Sequence, residues 1–396
     1  MPSDIENWLD SVTGSEWIWY AKRLSANDSG ETGSHQVGIY IPKPAFWTIF
    51  PLLQSGVNPD ASFHVDIMPH GQPRDLRAIW YNDKTRNETR ITRWNLPSRV
   101  LDPDLTGGLI LMAFHKPPNS NADYARIWIC QNIAEESVIE DRIGVIEPGE
   151  GVIHYPLPTA TAQPLVPAQT EKRCSLAENE IPPEWLQRFP SPQELIARAL
   201  QMTPVDADTP DSRLIQRREC ETSLFYSVER ATVLPIVQGG FASVEAFIDC
   251  ANSVTNRRKS RAGQSLELHL KTIFDEEQLP CAHGAVSEGN KKPDFLFPSQ
   301  TSYQNPAWPA GKLRMLGAKT TCKDRWRQIL NEADRIPQKH LFTLQEGVSE
   351  NQFQEMRTAG VILVIPESLR SRYPKPIRPE LICLETFIGQ TREITG

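Results

Sequence analysis

Between Tyr155 and Pro183 the chain carries Pro156, Pro158, Pro164, Pro167, Pro182 and Pro183 among Ala, Thr and Gln. Proline lacks the N–H that a helix interior or a central strand requires and restricts its own φ, so no core element can run through this stretch. The chain is therefore expected to fold as two domains, 1–154 and 184–396, joined by a linker at 155–183. With 396 residues, 39% of them hydrophobic and 23% charged, there is material for two cores.

The two halves differ in rhythm. Upstream, short β-branched and aromatic runs (Val37 to Ile41, Phe63 to Ile67, Leu109 to Phe114, Ala125 to Cys130) alternate with Gly, Pro and Asn turns, which predicts a mostly β barrel or sandwich with a few short helices. Downstream, Leu266, Leu270, Ile273 and Phe274 share one helical face, and Trp326, Ile329, Leu330 and Ala333 another. Phe295 to Phe297, Leu313 to Leu316 and Val361 to Ile365 read as strands between them, the pattern of an α/β sheet domain.

No run of about 18 apolar residues suits a membrane span, and the acidic N-terminus lacks a signal-peptide profile, so a soluble cytoplasmic protein is expected. Cys130, Cys174, Cys220, Cys250, Cys281, Cys322 and Cys383 are scattered and never spaced C-x-x-C, which suggests neither a disulfide framework nor a zinc site. The net charge of −7 argues against coating nucleic acid through bulk electrostatics. Basic residues are instead concentrated in Lys84 to Arg93 and in Lys312 to Arg327.

Around the second cluster lies a pattern that suits phosphodiester hydrolysis. Asp294 opens the strand Phe295 to Phe297, and Lys319 closes another, so the two side chains can converge at one sheet edge. Carboxylate oxygens hold Mg²⁺, a hard cation, and a lysine beside the attacking water favours hydroxide. The usual second acid, two residues before the lysine, is missing: that position is Gly317. Glu332 is the substitute, on a helix expected from about Cys322 to Ile336 with Thr321 and Asp324 as a capping box and Pro337 at its end. Basic Lys323, Arg325 and Arg327 in a first helical turn oppose the helix dipole unless an anion approaches.

Pro293-Asp294, then Lys319-Thr320-Thr321-Cys322-Lys323-Asp324-Arg325-Trp326, then Glu332 resemble the EcoRII group of restriction endonucleases, whose second metal-binding acid has migrated from the strand to a helix. The resemblance implies an α/β restriction-endonuclease-like domain with a central mixed sheet, in which Asp294 and Glu332 hold metal and Lys319 serves the attacking water. It also implies that Lys323 and Arg325 read guanine and Asp324 reads cytosine, in keeping with their donors and acceptor, on a CC(A/T)GG-type site. Glu267 matches an additional acid near the metals, and Tyr303 a tyrosine near the active site. Arg217 or Arg218 is a candidate to stack on an extruded central base, the sequence leaving the choice open. Arg258, in the run Arg257 to Arg261 just before a helix, is a candidate phosphate contact, with a solvated basic loop as the ordinary alternative.

The N-terminal segments Glu31 to Pro42 and Trp80 to Arg90 resemble the effector domain of the same family, a DNA-binding pseudobarrel. Lys84, Arg86, Glu88 and Arg90 alternate and share one face of an extended segment, while Thr85, Asn87 and Thr89 leave the other without an apolar stripe. His35 and Tyr40 are the other effector-site residues that the resemblance implies. It further implies a homodimer that takes double-stranded DNA at two sites with Mg²⁺, leaves 5′-phosphates, is blocked by its effector domain until DNA binds there, and is paired with a DNA methyltransferase in a bacterial host. The competing readings are a sequence-specific regulator with a decayed nuclease domain and a repair or junction nuclease on the same core.

Overall fold

The computed structural model describes residues 2–31, 38–69, 71–83, 86–94, 99–156, 174–203 and 209–395. In the N-terminal half, β1 (Trp17–Arg23), β2 (Ile39–Tyr40), β3 (Asp60–Met68), β4 (Arg74–Tyr81), β5 (Glu88–Thr92), β6 (Leu109–His115), β7 (Tyr124–Ile129) and β8 (Gly151–His154) form an eight-stranded sheet in the order β2-β5-β4-β3-β7-β6-β1-β8. Its pairings are antiparallel apart from the parallel pair β3–β7. The strand β6 is apolar from Leu109 to Phe114 because both of its faces are covered. Ile110, Met112 and Phe114 enter a core with Phe46 and Phe50. Leu109, Leu111 and Ala113 enter a second one under helices α1 (Pro2–Asp10) and α3 (Ile133–Ile143), with α2 (Lys43–Ile49) carrying Phe46 on the first side.

In the C-terminal half, β9 (Ala282–His283), β10 (Phe295–Phe297), β11 (Arg314–Lys319), β12 (Lys339–Thr343) and β13 (Val361–Val364) form a mixed sheet in the order β13-β12-β11-β10-β9. The β9, β10 and β11 pairings are antiparallel, and β11, β12 and β13 run parallel. Around it stand α4 (Pro183–Gln187), α5 (Pro192–Met202), α6 (Pro210–Gly239), α7 (Val244–Glu276), α8 (Gln300–Gln304), α9 (Glu350–Thr358) and α10 (Leu384–Thr395). Leu266, Leu270, Ile273 and Phe274 of α7 pack with Phe295, Phe297, Leu316 and Phe387 on one face. Leu296, Met315, Trp326, Ile329 and Leu341 fill the other. A mostly β domain followed by an α/β domain on a mixed sheet is the fold class expected from the sequence.

Three local expectations are corrected. The basic run Arg257 to Arg261 is no loop: it lies inside the 33-residue helix α7, which packs against α6. The helix expected from Cys322 to Ile336 is a 3-10 helix, Arg325–Asn331, with no side-chain cap from Asp324. Cys174, inside the stretch expected as linker, forms a disulfide with Cys220 that ties the end of that stretch to α6, where the scattered spacing had suggested none. Their approach is a product of tertiary packing, in a cluster with Ile181, Trp185 and Phe225. Among the described residues no helix is long and apolar enough to cross a membrane.

Candidate active site

The antiparallel register Phe295↔Leu316 brings the start of β10 and the end of β11 to one sheet edge. Asp294 Oδ2 there accepts from Ala318 N at 2.7 Å and from Lys319 Nζ at 3.0 Å, with both side chains largely buried. The backbone bond fixes the carboxylate against the neighbouring strand, so the pair is held by the sheet and not by two flexible side chains.

At Gly317 the strand has no room for a side chain. A Cβ at this position would stand 2.7 Å from Ile329 Cγ2, so the strand position beside Asp294 is already filled by the residue that anchors the 3-10 turn. The turn then delivers Glu332, an extended residue at its end, whose N–H donates to Ile329 O at 3.1 Å. Its Oε2 is buried with no hydrogen-bond partner among the described residues. Burial, reinforced by the Asp294 charge and opposed by Lys319 and Lys339, pushes the Glu332 carboxyl up to about 7. Its electrostatic coupling to both Asp294 and Lys319 places it in the same small region.

Glu267 reaches that region from α7. Its carboxyl is raised by burial first and then by Asp294, with a 3.1 Å hydrogen bond from His283 on β9 acting the other way. Among the described residues no three His, Cys, Asp or Glu side chains stand as a finished ligand cluster. The donor set nevertheless suits a hard divalent cation: Asp294, Glu332 and Glu267 offer oxygen alone, and Glu332 Oε2 is buried with its acceptor capacity unmet by any hydrogen bond among the described residues. Tyr303 is on α8, buried, with its hydroxyl bonded to Glu288 and accepting from Arg335 N at 3.2 Å. Those contacts belong to the frame behind Glu332.

The base-reading candidates occupy the turn that follows Lys319. Gln345 Oε1 accepts from Cys322 N at 2.9 Å and Lys323 N at 3.1 Å. A buried side chain from beyond β12 thus caps this turn, in place of the local capping box. Lys323 Nζ is buried with no hydrogen-bond partner among the described residues, and a methyl on Gly108 of the N-terminal domain would stand 3.0 Å from it. Arg325 lines a cleft shared with Glu140, Asp141 and Glu147 of that domain and Lys259 of α7. Asp324 lies 3.7 Å from Arg327, which also pairs with Glu355 at 2.6 Å.

The candidates for stacking and phosphate contact are otherwise engaged. Arg217 is 2% exposed and paired with Glu276 at 2.9 Å, while Arg218 is 6% exposed and paired with Glu147 at 3.0 Å, so neither presents a guanidinium to a base. Arg258 binds Glu229, its Nε donating at 3.0 Å, and Lys259 binds Asp141 of the N-terminal domain. Helix packing has buried Arg217 and Arg218, while Arg258 and Lys259 are paired nearer the surface, and sequence spacing carries no sign of either.

Of the effector residues, His35 and Lys84 lie outside the described residues. Tyr40 is 41% exposed at the end of β2, and the exposed Arg86 lies over the Tyr81 ring at 5.5 Å. Glu88 and Arg90 are on β5 and bond one another at 3.0 Å, with Arg90 also donating to Gly38 O at 2.9 Å. Arg90 and Thr89 are both buried, so the end of this polar segment is seated against the fold. Sequence reading missed His283, Lys339 and Gln345. The last two carried a signal, as polar side chains at the ends of the apolar run Lys339-His340-Leu341-Phe342-Thr343-Leu344-Gln345.

Residues 13–156 match the N-terminal family of restriction endonuclease EcoRII, and residues 225–388 match the EcoRII C-terminal family. The chain is 45% identical over 404 aligned positions to the type II restriction enzyme EcoRII of Escherichia coli, covering 100% of this chain and 98% of that one. It is 28% identical over 126 residues to the type II restriction enzyme SsoII of Shigella sonnei, which covers 29% of this chain and 40% of that one. Among solved structures, metal-depleted Ecl18kI with uncleaved, modified DNA is similar at 20% identity and a TM-score of 0.46, over 56% of this chain and 85% of that one.

Proposed function

The chain belongs to the EcoRII family of type II restriction endonucleases, and on that premise we propose that it works as a homodimer with Mg²⁺ on double-stranded DNA. It cuts both strands at a CC(A/T)GG-type site and leaves 5′-phosphates. The observation that carries this reading is the 3.0 Å Lys319–Asp294 pair coupled to the half-buried Glu332 carboxyl, whose Oε2 is buried with no hydrogen-bond partner among the described residues. Mg²⁺, when bound, polarises the scissile phosphate and offsets the charge that develops on it. Asp294 and Glu332 hold the cation, with Glu267 beside them. Lys319 Nζ, released from Asp294, orients the attacking water and stabilises the hydroxide. Lys323, Asp324 and Arg325 read C·G pairs on the turn that continues the catalytic strand, so recognition and cleavage move as one unit.

The test is incubation of plasmid with protein and Mg²⁺ beside Lys319→Ala. Discrete fragments that disappear in the variant support the reading, and cutting that persists overturns the role of Lys319.

The N-terminal domain is the reader of a second site and the block on the first. Burial of the Lys323 Nζ beside Gly108 and the position of Arg325 in a cleft shared with the N-terminal domain support that block, because the reading side chains cannot enter a groove while the domain remains. A duplex oligonucleotide carrying the site, added in trans, is expected to accelerate cleavage of a single-site plasmid; so is deletion of residues up to about Pro183. Failure of both would refute autoinhibition. A methyltransferase that protects the host's own sites completes the system.

A further inference from the structure

Lys339 opens β12, in the interior of the five-stranded sheet, and is 5% exposed. An ammonium at that depth is unfavourable unless its donors are met. Its Nζ donates to Glu332 O and, at 2.7 Å, to Ala333 O, while its backbone N–H donates to Gly360 O at 2.9 Å. The strand therefore fixes Lys339, and Lys339 fixes two successive carbonyls of the segment that carries Glu332. The second of these residues, Ala333, has φ 49°, a left-handed conformation that a residue with a Cβ seldom holds without outside support.

An acid on a strand has its backbone held by the ladder on both sides. Glu332 has no ladder: it is an extended residue after a 3-10 turn, outside every strand. The turn is seated on its upstream side by Ile329 over Gly317. Downstream, Arg335 donates to Trp308 O at 2.7 Å and Asn305 O at 3.0 Å. Between the two anchors, the carbonyls of Glu332 and Ala333 meet at one lysine.

We propose that Lys339 is a positioning residue for the reaction: by gripping the carbonyls of Glu332 and Ala333 it aims the Glu332 carboxylate, supplying for a turn-borne acid the rigidity that a strand-borne acid takes from its sheet. The inference rests on the proposed metal-holding role of Glu332.

The test is calorimetric titration of Ca²⁺, as a non-cleaving probe, into the full-length protein bound to a site-containing duplex. It is run on wild type, Glu332→Gln, Lys339→Met, Lys339→Arg and the double variant Glu332→Gln/Lys339→Met. Loss of an outer support of a metal ligand weakens metal binding by about tenfold or more. Lys339→Met should show that loss, with metal-free duplex binding within about twofold of wild type. Lys339→Arg, which keeps donors but adds bulk, should fall between, and it carries the test should the Met variant not fold. In the Glu332→Gln background Lys339→Met should add nothing further. Wild-type Ca²⁺ affinity in Lys339→Met, or an equal loss in both backgrounds, overturns the inference. Unchanged affinity in Glu332→Gln alone would instead overturn the role given to Glu332.

Discussion

Replacing Gly317 by Ala places a methyl 2.7 Å from Ile329 Cγ2 and 3.6 Å from a Leu341 methyl. Carbon atoms rest about 3.5–4.0 Å apart, so Ile329 must retreat by roughly 1 Å, inside a core where Ile329 and Leu341 are fully buried. Overpacking of this kind costs about 1–3 kcal/mol. Taking about 2 kcal/mol, and about 2–4 °C per kcal/mol for a domain near 200 residues, the melting temperature should fall by about 4–8 °C. The larger effect is expected on cleavage. Ile329 O holds the Glu332 N–H, so a retreating turn carries the carboxylate with it, and misplacement by about 1 Å can cost about 100-fold in rate. Differential scanning calorimetry and single-turnover cleavage at saturating Mg²⁺ measure the two effects. Gly317→Asp should behave no better, although it restores the acid where related motifs carry it. A Gly317→Ala protein with unchanged melting and full activity would refute the account of a filled strand position; so would a Gly317→Asp/Glu332→Gln double variant that cleaves well.

Glu332, held up to about 7 against an ordinary 4.5, is protonated in the folded metal-free protein at pH values where the unfolded chain has released the proton. Its contribution to stability is therefore present below about pH 4.5 and lost as pH rises toward 7, the reverse of a salt-bridged carboxylate. Because metal binding expels that proton, the acid limb of the cleavage pH profile should move to lower pH as Mg²⁺ is raised, and an immobile limb would exclude Glu332 as its source. Arg325→Ala should weaken binding to the cognate duplex by about 1–3 kcal/mol and relax preference at one base pair, read by competition against single-substituted duplexes. Uniform weakening on all sequences would reassign Arg325 to phosphate contact. Arg217→Ala should destabilise the fold by about 2–3 kcal/mol in urea unfolding, somewhat below a fully buried pair because Glu276 is partly exposed, and leave DNA affinity unchanged. Lost affinity with intact stability would restore Arg217 as a DNA contact.

Asp294 and Lys319 were legible in the sequence because each is adjacent to its strand's apolar run, and hydrophobic alternation with a motif places such residues without knowledge of the rest of the fold. Glu332 was legible as a residue and misread as a position. Local propensity favours a helix through Trp326 and Ile329, whereas the chain follows a 3-10 turn because Gln345 takes the amides of Cys322 and Lys323 and Ile329 docks on Gly317. The ion pairs of Arg217, Arg218, Arg258 and Arg261 were illegible for the same kind of reason, their partners Glu276, Glu147, Glu229 and Glu221 being far away in sequence.

The sequence by itself determined the two-domain division, the β and α/β patterns and the pairing of a carboxylate with a lysine at a sheet edge, all of which depend on spacings within a few residues. Only the tertiary structure decided which cations are held in ion pairs, how a turn-borne acid is held, and that Lys323 lies against the N-terminal domain. Those outcomes depend on long-range hydrogen bonds and ion pairs, whose strength is set by burial, and burial is not written at any one position of the chain.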